Sequence, residues 1–151
     1  NAIGVRISNL SDITVPLWVT GDPAITQDIF VCIYRENQGN NTKNTYKITA
    51  TGDGPGFLLK SGTNTIAYTV TWNDGGDTNP SGGTTATMTN NIVLENRKNA
   101  RTQNITPINS SDCNAGANPT ARLRIGITAT VMDAARDGTF IGTLTLLLIP
   151  A

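Results

Sequence analysis

The chain has 151 residues, of which 11 are basic, 11 are acidic and none is histidine, so its formal net charge is zero. This length fits one domain with its own core, and a neutral chain lacks the basic field that nucleic-acid binding needs. Only 15% of the residues are charged and no apolar stretch approaches the roughly 20 residues of a membrane span, so we expect neither a nucleic-acid partner nor a membrane span.

Two strands are predicted near the start of the chain from alternating apolar residues. Ile3, Val5 and Ile7 alternate in "AIGVRIS", and residues 13–19 alternate in "ITVPLWVT". Pro16 places the second strand at a sheet edge or at a bulge, because proline donates no backbone hydrogen bond. The next stretch, "DIFVCIYR", is apolar on both faces and predicts a central strand.

The middle of the chain alternates as well. Strands are predicted in "TYKITAT", "GFLLKS" and "TIAYTVTW", separated by turns rich in glycine, asparagine and aspartate. Because Ile66, Tyr68, Val70 and Trp72 share one parity, Trp72 is expected in the core. Residues 78–120 show weaker patterns, for which we expect two or three short strands joined by long loops.

Two longer strands are predicted near the end of the chain. "ARLRIGITATVM" alternates from Ala121 to Val131, and "VMDAARDG" allows one helical turn at most. "GTFIGTLTLLLIPA" follows, and one parity of this closing strand carries the bulky side chains Phe140, Leu144, Leu146 and Leu148. Short strands with regular turn signals indicate an all-β sandwich or barrel.

The sequence offers little for catalysis. Without histidine there is no His-based triad, and the aspartates lie in turns where Asp hydrogen-bonds its own backbone. The cluster of Asn73, Asp74, Asp77 and Asn79 has oxygen donors for calcium but lacks the ligand order of a calcium loop, so a hairpin turn is favoured. We expect a protein that is not an enzyme, with no catalytic residue, no metal and no cofactor.

The two cysteines, Cys32 and Cys113, point to an exported protein. An even count in a chain without histidine favours a disulfide between them over a metal site, with two buried free thiols as the alternative. A surface rich in threonine and asparagine is also typical of secreted β proteins. The sequence starts at Asn1 without a signal peptide, which we interpret as removal on export, with a trimmed chain as the alternative.

Trp18 is a candidate for surface contact. It lies on the parity opposite to the apolar residues of its strand, and an outward tryptophan can stack on a sugar or anchor an interface. Half-buried packing is the alternative. The basic residues Arg97, Lys98 and Arg101 are expected on a solvated face.

Three stretches of the sequence follow one another in a recognisable order. The first, "DIFVCIYRENQGNNTKNTYKITATGDG", has a strand, a cysteine, a loop and a second strand, and the next, "LLKSGTNTIAYTVTWNDG", has a Tyr-centred strand from Tyr68 to Asp74. In the last, "RLRIGITATVMDAARDGTFIGTLTLLLIPA", a glycine and an aromatic residue precede a long alternating strand. Together the three stretches resemble the spore coat U domain family, which includes the pilin domain of archaic chaperone–usher pili.

The resemblance implies an immunoglobulin-like β-sandwich that lacks one strand and is completed by a donor strand from a neighbouring subunit. Residues 9–151 would form the pilin-like sandwich, and the N-terminal segment 1–8 would be the donor strand, with Ile3, Val5 and Ile7 as plugs. The acceptor groove would run beside Phe140, Leu144, Leu146 and Leu148. The alternative is that the N-terminal segment forms this domain's own first strand.

Two functions therefore compete at the level of sequence. The first is a structural subunit of an extracellular pilus or fibre, reaching the cell surface through the periplasm. Its partners would be other copies of itself, a periplasmic chaperone and an outer-membrane usher. The second is a self-complete, secreted or surface-bound adhesin-like binding module, supported by Trp18 and by long loops suited to sugar or surface contact.

Overall fold

The computed structural model describes residues 5–8, 10–36, 44–103 and 118–151. Nearly all regular structure in these residues is β. In chain order the elements are β1 (Val5–Ser8), β2 (Ile25–Glu36), β3 (Tyr46–Thr51), β4 (Leu58–Ser61), β5 (Asn64–Ala67), β6 (Thr69–Asn73), β7 (Thr85–Thr87), β8 (Val93–Arg97), β9 (Arg101–Gln103), β10 (Ala121–Ile127), α1 (Ala129–Ala134) and β11 (Thr145–Pro150). No helix in the described ranges is long and apolar enough to cross a membrane.

The strands form two principal sheets. In the first, the order is β1-β2-β10-β6-β7, and β9 pairs with β2 in parallel. In the second, the order is β11-β3-β8, and β4 and β5 form a separate hairpin. In the terms of an immunoglobulin sandwich, β1, β2, β10 and β6 take the places of strands A, B, E and D, while β3 and β11 take those of C and F. The prediction of an all-β, immunoglobulin-like sandwich is confirmed.

One apolar core fills the space between the sheets. It includes the inward residues of β2, β3, β6 and β10, among them Ile33, Ile48, Val70 and Trp72. The indole of Trp72 is fully buried and meets the ring of Tyr46 edge-on, with an angle of 81° between the planes. The expected core position of Trp72 is therefore correct.

A buried arginine fastens the end of the second sheet. The Arg35 guanidinium donates hydrogen bonds to the carbonyl oxygens of Thr45 and Ala151. The hydroxyl of Thr45 also donates to the carbonyl oxygen of Ala151. Because Thr45 precedes β3 and Ala151 follows β11, these bonds tie the two strands together at one end.

The predicted strand from Ala121 to Met132 is wrong in its second half. β10 ends at Ile127, and the short helix α1 begins at Ala129. The Thr128 hydroxyl accepts a hydrogen bond from the Val131 N–H, so Thr128 caps the helix and stops the alternation. The segment from Asn64 to Asn73 is likewise two strands, because the Tyr68 N–H bonds the Phe57 carbonyl instead of a ladder partner.

Residues 78–120 contain three short strands in their described part, which agrees with the expectation. The strands are β7, β8 and β9, and they lie in different sheets or on different edges. β8 pairs with β3, and the register shifts between Tyr46 and Ile48 because of an irregularity in the ladder. Asn96, with φ of 58°, lies within β8 at this irregularity.

A candidate strand-binding groove beside the last strand

One edge of β11 is paired and the other is open within the described residues. On the paired edge, β11 runs antiparallel to β3, from Thr145 opposite Thr51 to Pro150 opposite Tyr46. No other described strand pairs with β11, which ends the order of its sheet. In a complete immunoglobulin sandwich this is the side on which strand G lies beside strand F.

The predicted acceptor residues share one face at this edge. Leu146 and Leu148 in β11 are half-buried and pack against the core, whereas Leu147 and Ile149 between them are exposed. Phe140 and Leu144 precede β11 and also pack against the core. All four residues that the alternation places on one parity therefore pack against the core, and their use as an acceptor groove stays a prediction.

A groove opens between the end of the chain and residues 10–15. Its volume is about 350 Å3. Leu144 and Leu146 line one wall, and Leu10, Ile13 and Val15 line the other. The floor contains four core residues of the first sheet and its continuation, namely Ile29, Tyr68, Leu123 and Ile125.

The groove continues into a second, wider compartment of about 830 Å3. Val15 and Leu59 line both compartments, which therefore join. Phe140 and the residues around the end of α1 form one side of the second compartment, and residues 15–20 form the other. The second compartment mixes apolar residues with charged ones, among them Asp133, Arg136 and Asp137. We call the two compartments together the strand groove.

Residues 10–20 form the wall opposite β11. They do not form the strand that the alternation in residues 13–19 predicts. Ile13 and Val15 are half-buried as expected, but Leu17 is 94% exposed and Val19 is also exposed. Trp18 turns inward, packs against the core and donates its indole N–H to the Pro23 carbonyl at 2.9 Å. The parity inverts after Pro16, which cannot donate a ladder bond. Trp18 thus takes the half-buried position that the sequence left as the alternative to an outward one, and a role in surface contact stays a prediction.

The N-terminal segment lies in its own sheet in this structure. β1 pairs antiparallel with β2, from Val5 opposite Arg35 to Ser8 opposite Cys32. Val5 and Ile7 are half-buried against the chain's own core, and Ile3 lies outside the described residues. Residues 5–8 are thus part of the same sandwich as the rest of the chain. The use of residues 1–8 as a donor strand in another copy stays a prediction.

The predicted disulfide also stays a prediction, because Cys113 lies outside the described residues. Cys32 is fully buried, and its sulfur lies 3.4 Å from the Asn118 carbonyl oxygen. Asn118 begins the described part of the chain that follows Cys113. Asn118, which contacts the Cys32 sulfur, therefore lies only a few residues after the expected partner Cys113.

The polar residues in the loop 73–79, which were considered as calcium ligands, form hydrogen bonds and ion pairs with other residues of the protein. The buried Asp74 carboxylate accepts hydrogen bonds from the backbone N–H groups of Thr84 and Lys98, and it lies 3.9 Å from the Arg97 guanidinium. Asn73 bonds the backbone of Gly83, and Asp77 lies 3.6 Å from Arg101. These bonds hold the β6–β7 hairpin closed and attach it to residues 97–101.

Of the three basic residues expected on a solvated face, Lys98 is exposed, whereas Arg101 is half-buried and Arg97 is buried. Arg97 is buried beside Asp74, and its Nε donates to the Glu95 carbonyl. Elsewhere, the Arg124 guanidinium donates two hydrogen bonds to the Asp28 carboxylate, at 2.7 and 2.9 Å. This pair lowers the pKa of Asp28, chiefly through the hydrogen bonds from Arg124.

Comparisons with known proteins support the fold. Neither the family models nor the curated proteins match the sequence. Among solved structures, a chain from one described as "Chaperone-tip adhesin complex is vital for synergistic activation of CFA/I fimbriae biogenesis" is similar, with a TM-score of 0.61 and 15% identity. The match covers 97% of this chain but spans only 41% of that one. At 15% identity, this similarity shows that the two chains share a fold.

Proposed function

We propose that this chain is a structural subunit of an extracellular pilus or fibre, completed by a strand that another subunit inserts into the strand groove. The observation that carries the proposal is the open edge of β11 above an apolar groove. It lies where an immunoglobulin sandwich has its seventh strand. The similar fold in a fimbrial chaperone–adhesin complex supports the same class of protein.

The groove has the features on which strand addition depends. Within the described residues the unpaired edge of β11 offers backbone N–H and C=O groups, which give affinity, and the apolar lining beside Leu144 and Leu146 can receive side chains of the added strand. β11 has six residues, so a strand beside it would extend over about 20 Å at about 3.4 Å per residue. An apolar edge of this kind promotes aggregation unless a partner covers it.

Repetition of such a contact produces a filament, because a head-to-tail contact that does not close continues from copy to copy. The partners in this proposal are other copies of the chain, together with a periplasmic chaperone that covers the groove before assembly and an outer-membrane usher. The predicted disulfide between Cys32 and Cys113 would fit a route through an oxidising compartment. No enzymatic activity is part of the proposal.

The donor in the proposal is the N-terminal segment of a neighbouring copy. Ile3, Val5 and Ile7 have the alternation that the groove would accept. Because β1 is paired with β2 here, donation requires residues 5–8 to leave their own sheet. The pairing in the same chain favours the second candidate, a self-complete binding module, but no described strand covers the second edge of β11.

Electron microscopy and size-exclusion chromatography of the purified chain test the proposal. We expect fibres, and assemblies that persist in mild denaturant, from the complete chain and none from a variant lacking residues 1–8. Melting of the shortened variant serves as the control for folding. Fibres of normal appearance from a folded chain without residues 1–8 would rule out these residues as the donor. A sharply melting monomer that binds glycans would favour the second candidate.

A further inference from the structure

Tyr68 lines the floor of the strand groove. The residue is 8% exposed, and its ring stacks on that of Phe57, with centroids 5.6 Å apart. Within the described residues its hydroxyl takes part in no hydrogen bond, and it is not among the polar atoms shut off from solvent. The hydroxyl is therefore open to solvent in the groove, and a strand that fills the groove would take it out of water.

The position of Tyr68 follows from the strand register. Leu123 lies opposite Trp72, and Ile125 lies opposite Val70. The inward parity then continues to Tyr68, which lines the first compartment, and to Ile66, which lines the second. Tyr68 and Ile66 therefore share an inward face that extends from the first compartment to the second, and a strand through both would pass over this face.

The residues around Tyr68 provide an apolar floor with a polar rim. Ile29, Leu123 and Ile125 surround it on the floor. At the rim, the Asp53 carboxylate accepts a hydrogen bond from the Thr143 N–H at 2.9 Å. Burial, with a smaller contribution from Asp53, raises the pKa of Tyr68, so the phenol stays protonated and remains a hydrogen-bond donor.

We propose that the strand filling the groove places one hydroxyl- or amide-bearing side chain over Tyr68, between apolar neighbours. This inference rests on the proposed function. An apolar side chain at that position would remove the hydroxyl from water without replacing its hydrogen bond, which weakens binding. Tyr68 then determines which strands fit, and in which register. On the parity of Ile3, Val5 and Ile7, the N-terminal segment offers one such group, the Asn1 amide.

Synthetic peptides of about ten residues test the inference, because strand addition needs only a short extended segment. The host peptide carries valine at every second position, threonine between the valines, and lysine at both ends. In each guest peptide, one valine is replaced by threonine, which has the same shape but adds a hydroxyl. Fluorescence anisotropy measures the dissociation constant of each peptide.

On the wild-type chain we expect one guest position to bind about tenfold more tightly than the other guest positions. In Tyr68→Phe this preference disappears while the host peptide still binds. Tyr46→Phe is the matched control, because it removes a phenol hydroxyl that is buried away from the groove, and the preference persists. Equal position profiles for the wild-type chain and Tyr68→Phe overturn the inference but leave the proposed function standing. Failure of every peptide to bind overturns both.

Discussion

The indole N–H of Trp72 donates a hydrogen bond of 2.9 Å to the hydroxyl of Tyr46, and this bond joins the two sheets. Trp72 lies in β6 of the first sheet, and Tyr46 lies in β3 of the second. Both rings are buried, so neither group has water as an alternative partner. The bond therefore fixes how the two layers pack, in addition to the apolar area that both rings bury.

Removal of the Tyr46 hydroxyl lowers stability in a pH-dependent way. Tyr46→Phe leaves the Trp72 N–H buried without an acceptor, and we expect a loss of about 1–3 kcal/mol at neutral pH. Burial raises the pKa of Tyr46 well above its ordinary value. A raised pKa means that the stabilising contribution is complete below the unfolded-state pKa, near pH 10, and is lost as the pH rises above it.

Chemical denaturation between pH 7 and pH 11 measures both effects. The wild-type chain should lose stability at alkaline pH more steeply than Tyr46→Phe does, because only the wild type must ionise this phenol on unfolding. Parallel curves for the two proteins would contradict the assignment of Tyr46 as the source of this slope.

Leu146 and Leu147 are adjacent in β11 but lie on opposite faces of the strand. Leu146 lines the strand groove, and Leu147 is exposed. Leu146→Asp places a carboxylate in the strand groove, and we expect it to abolish both fibres and peptide binding, since an unpaired charge in an apolar site is strongly unfavourable. Leu147→Asp changes the exposed face of the same strand and should leave both intact. Electron microscopy and anisotropy measure the outcome, and melting curves show whether each variant folds.

Leu146→Ala provides a milder test, because it removes most of an apolar side chain from the groove wall without adding a charge. It should weaken peptide binding while the fibres become less stable in denaturant. Equal effects of Leu146→Asp and Leu147→Asp on assembly, with both variants folded, would argue against the open edge of β11 as the site of strand addition.

The buried Asp74 should contribute far more to stability than the exposed Asp28. Asp74→Ala leaves the Thr84 and Lys98 N–H groups without an acceptor and Arg97 without its nearby carboxylate, and we expect a loss of about 3–5 kcal/mol. Asp28→Ala breaks a partly exposed pair with Arg124, for which less than about 1 kcal/mol is expected. Urea denaturation of both variants gives the comparison.

A disulfide between Cys32 and Cys113 would close a loop of about 80 residues and stabilise the fold by about 4–5 kcal/mol in the chain-entropy model. We expect no thiol alkylation of the denatured, unreduced chain, and two alkylated cysteines after reduction. The variants Cys32→Ala and Cys113→Ala should melt at similarly lowered temperatures. Alkylation of the unreduced chain would instead support two free thiols.

The sequence predicts the core well, because alternation depends only on neighbouring residues. The inward parity of Ile66, Tyr68, Val70 and Trp72 is correct in every member. The sequence allows a helical turn in "VMDAARDG" but does not show that the helix starts at Ala129, since a capping hydroxyl and a continuing strand look alike in "GITATVM". The inversion of parity after Pro16 was missed for a related reason, because proline signals an interruption but not its direction.

The groove itself could be predicted only in part. Phe140, Leu144, Leu146 and Leu148 follow from the alternation, but the opposite wall depends on how residues 10–20 pass along the first sheet. Strand pairing between distant segments is set by the whole fold, so no local pattern shows that β1 pairs with β2 and not with β11. Tyr68 was expected in the core, but its place on the floor of the groove can be seen only in the three-dimensional structure.

The six-residue register between β11 and β3 has a mechanical consequence. Tension along a strand seated beside β11 would pull β11 parallel to its own axis, at right angles to the hydrogen bonds that hold it to β3. In this shear geometry the bonds from Thr145 to Pro150 share the load and must break together, whereas a pull across the sheet would open them one at a time. A fibre built through this edge would therefore resist stretching far better than peeling.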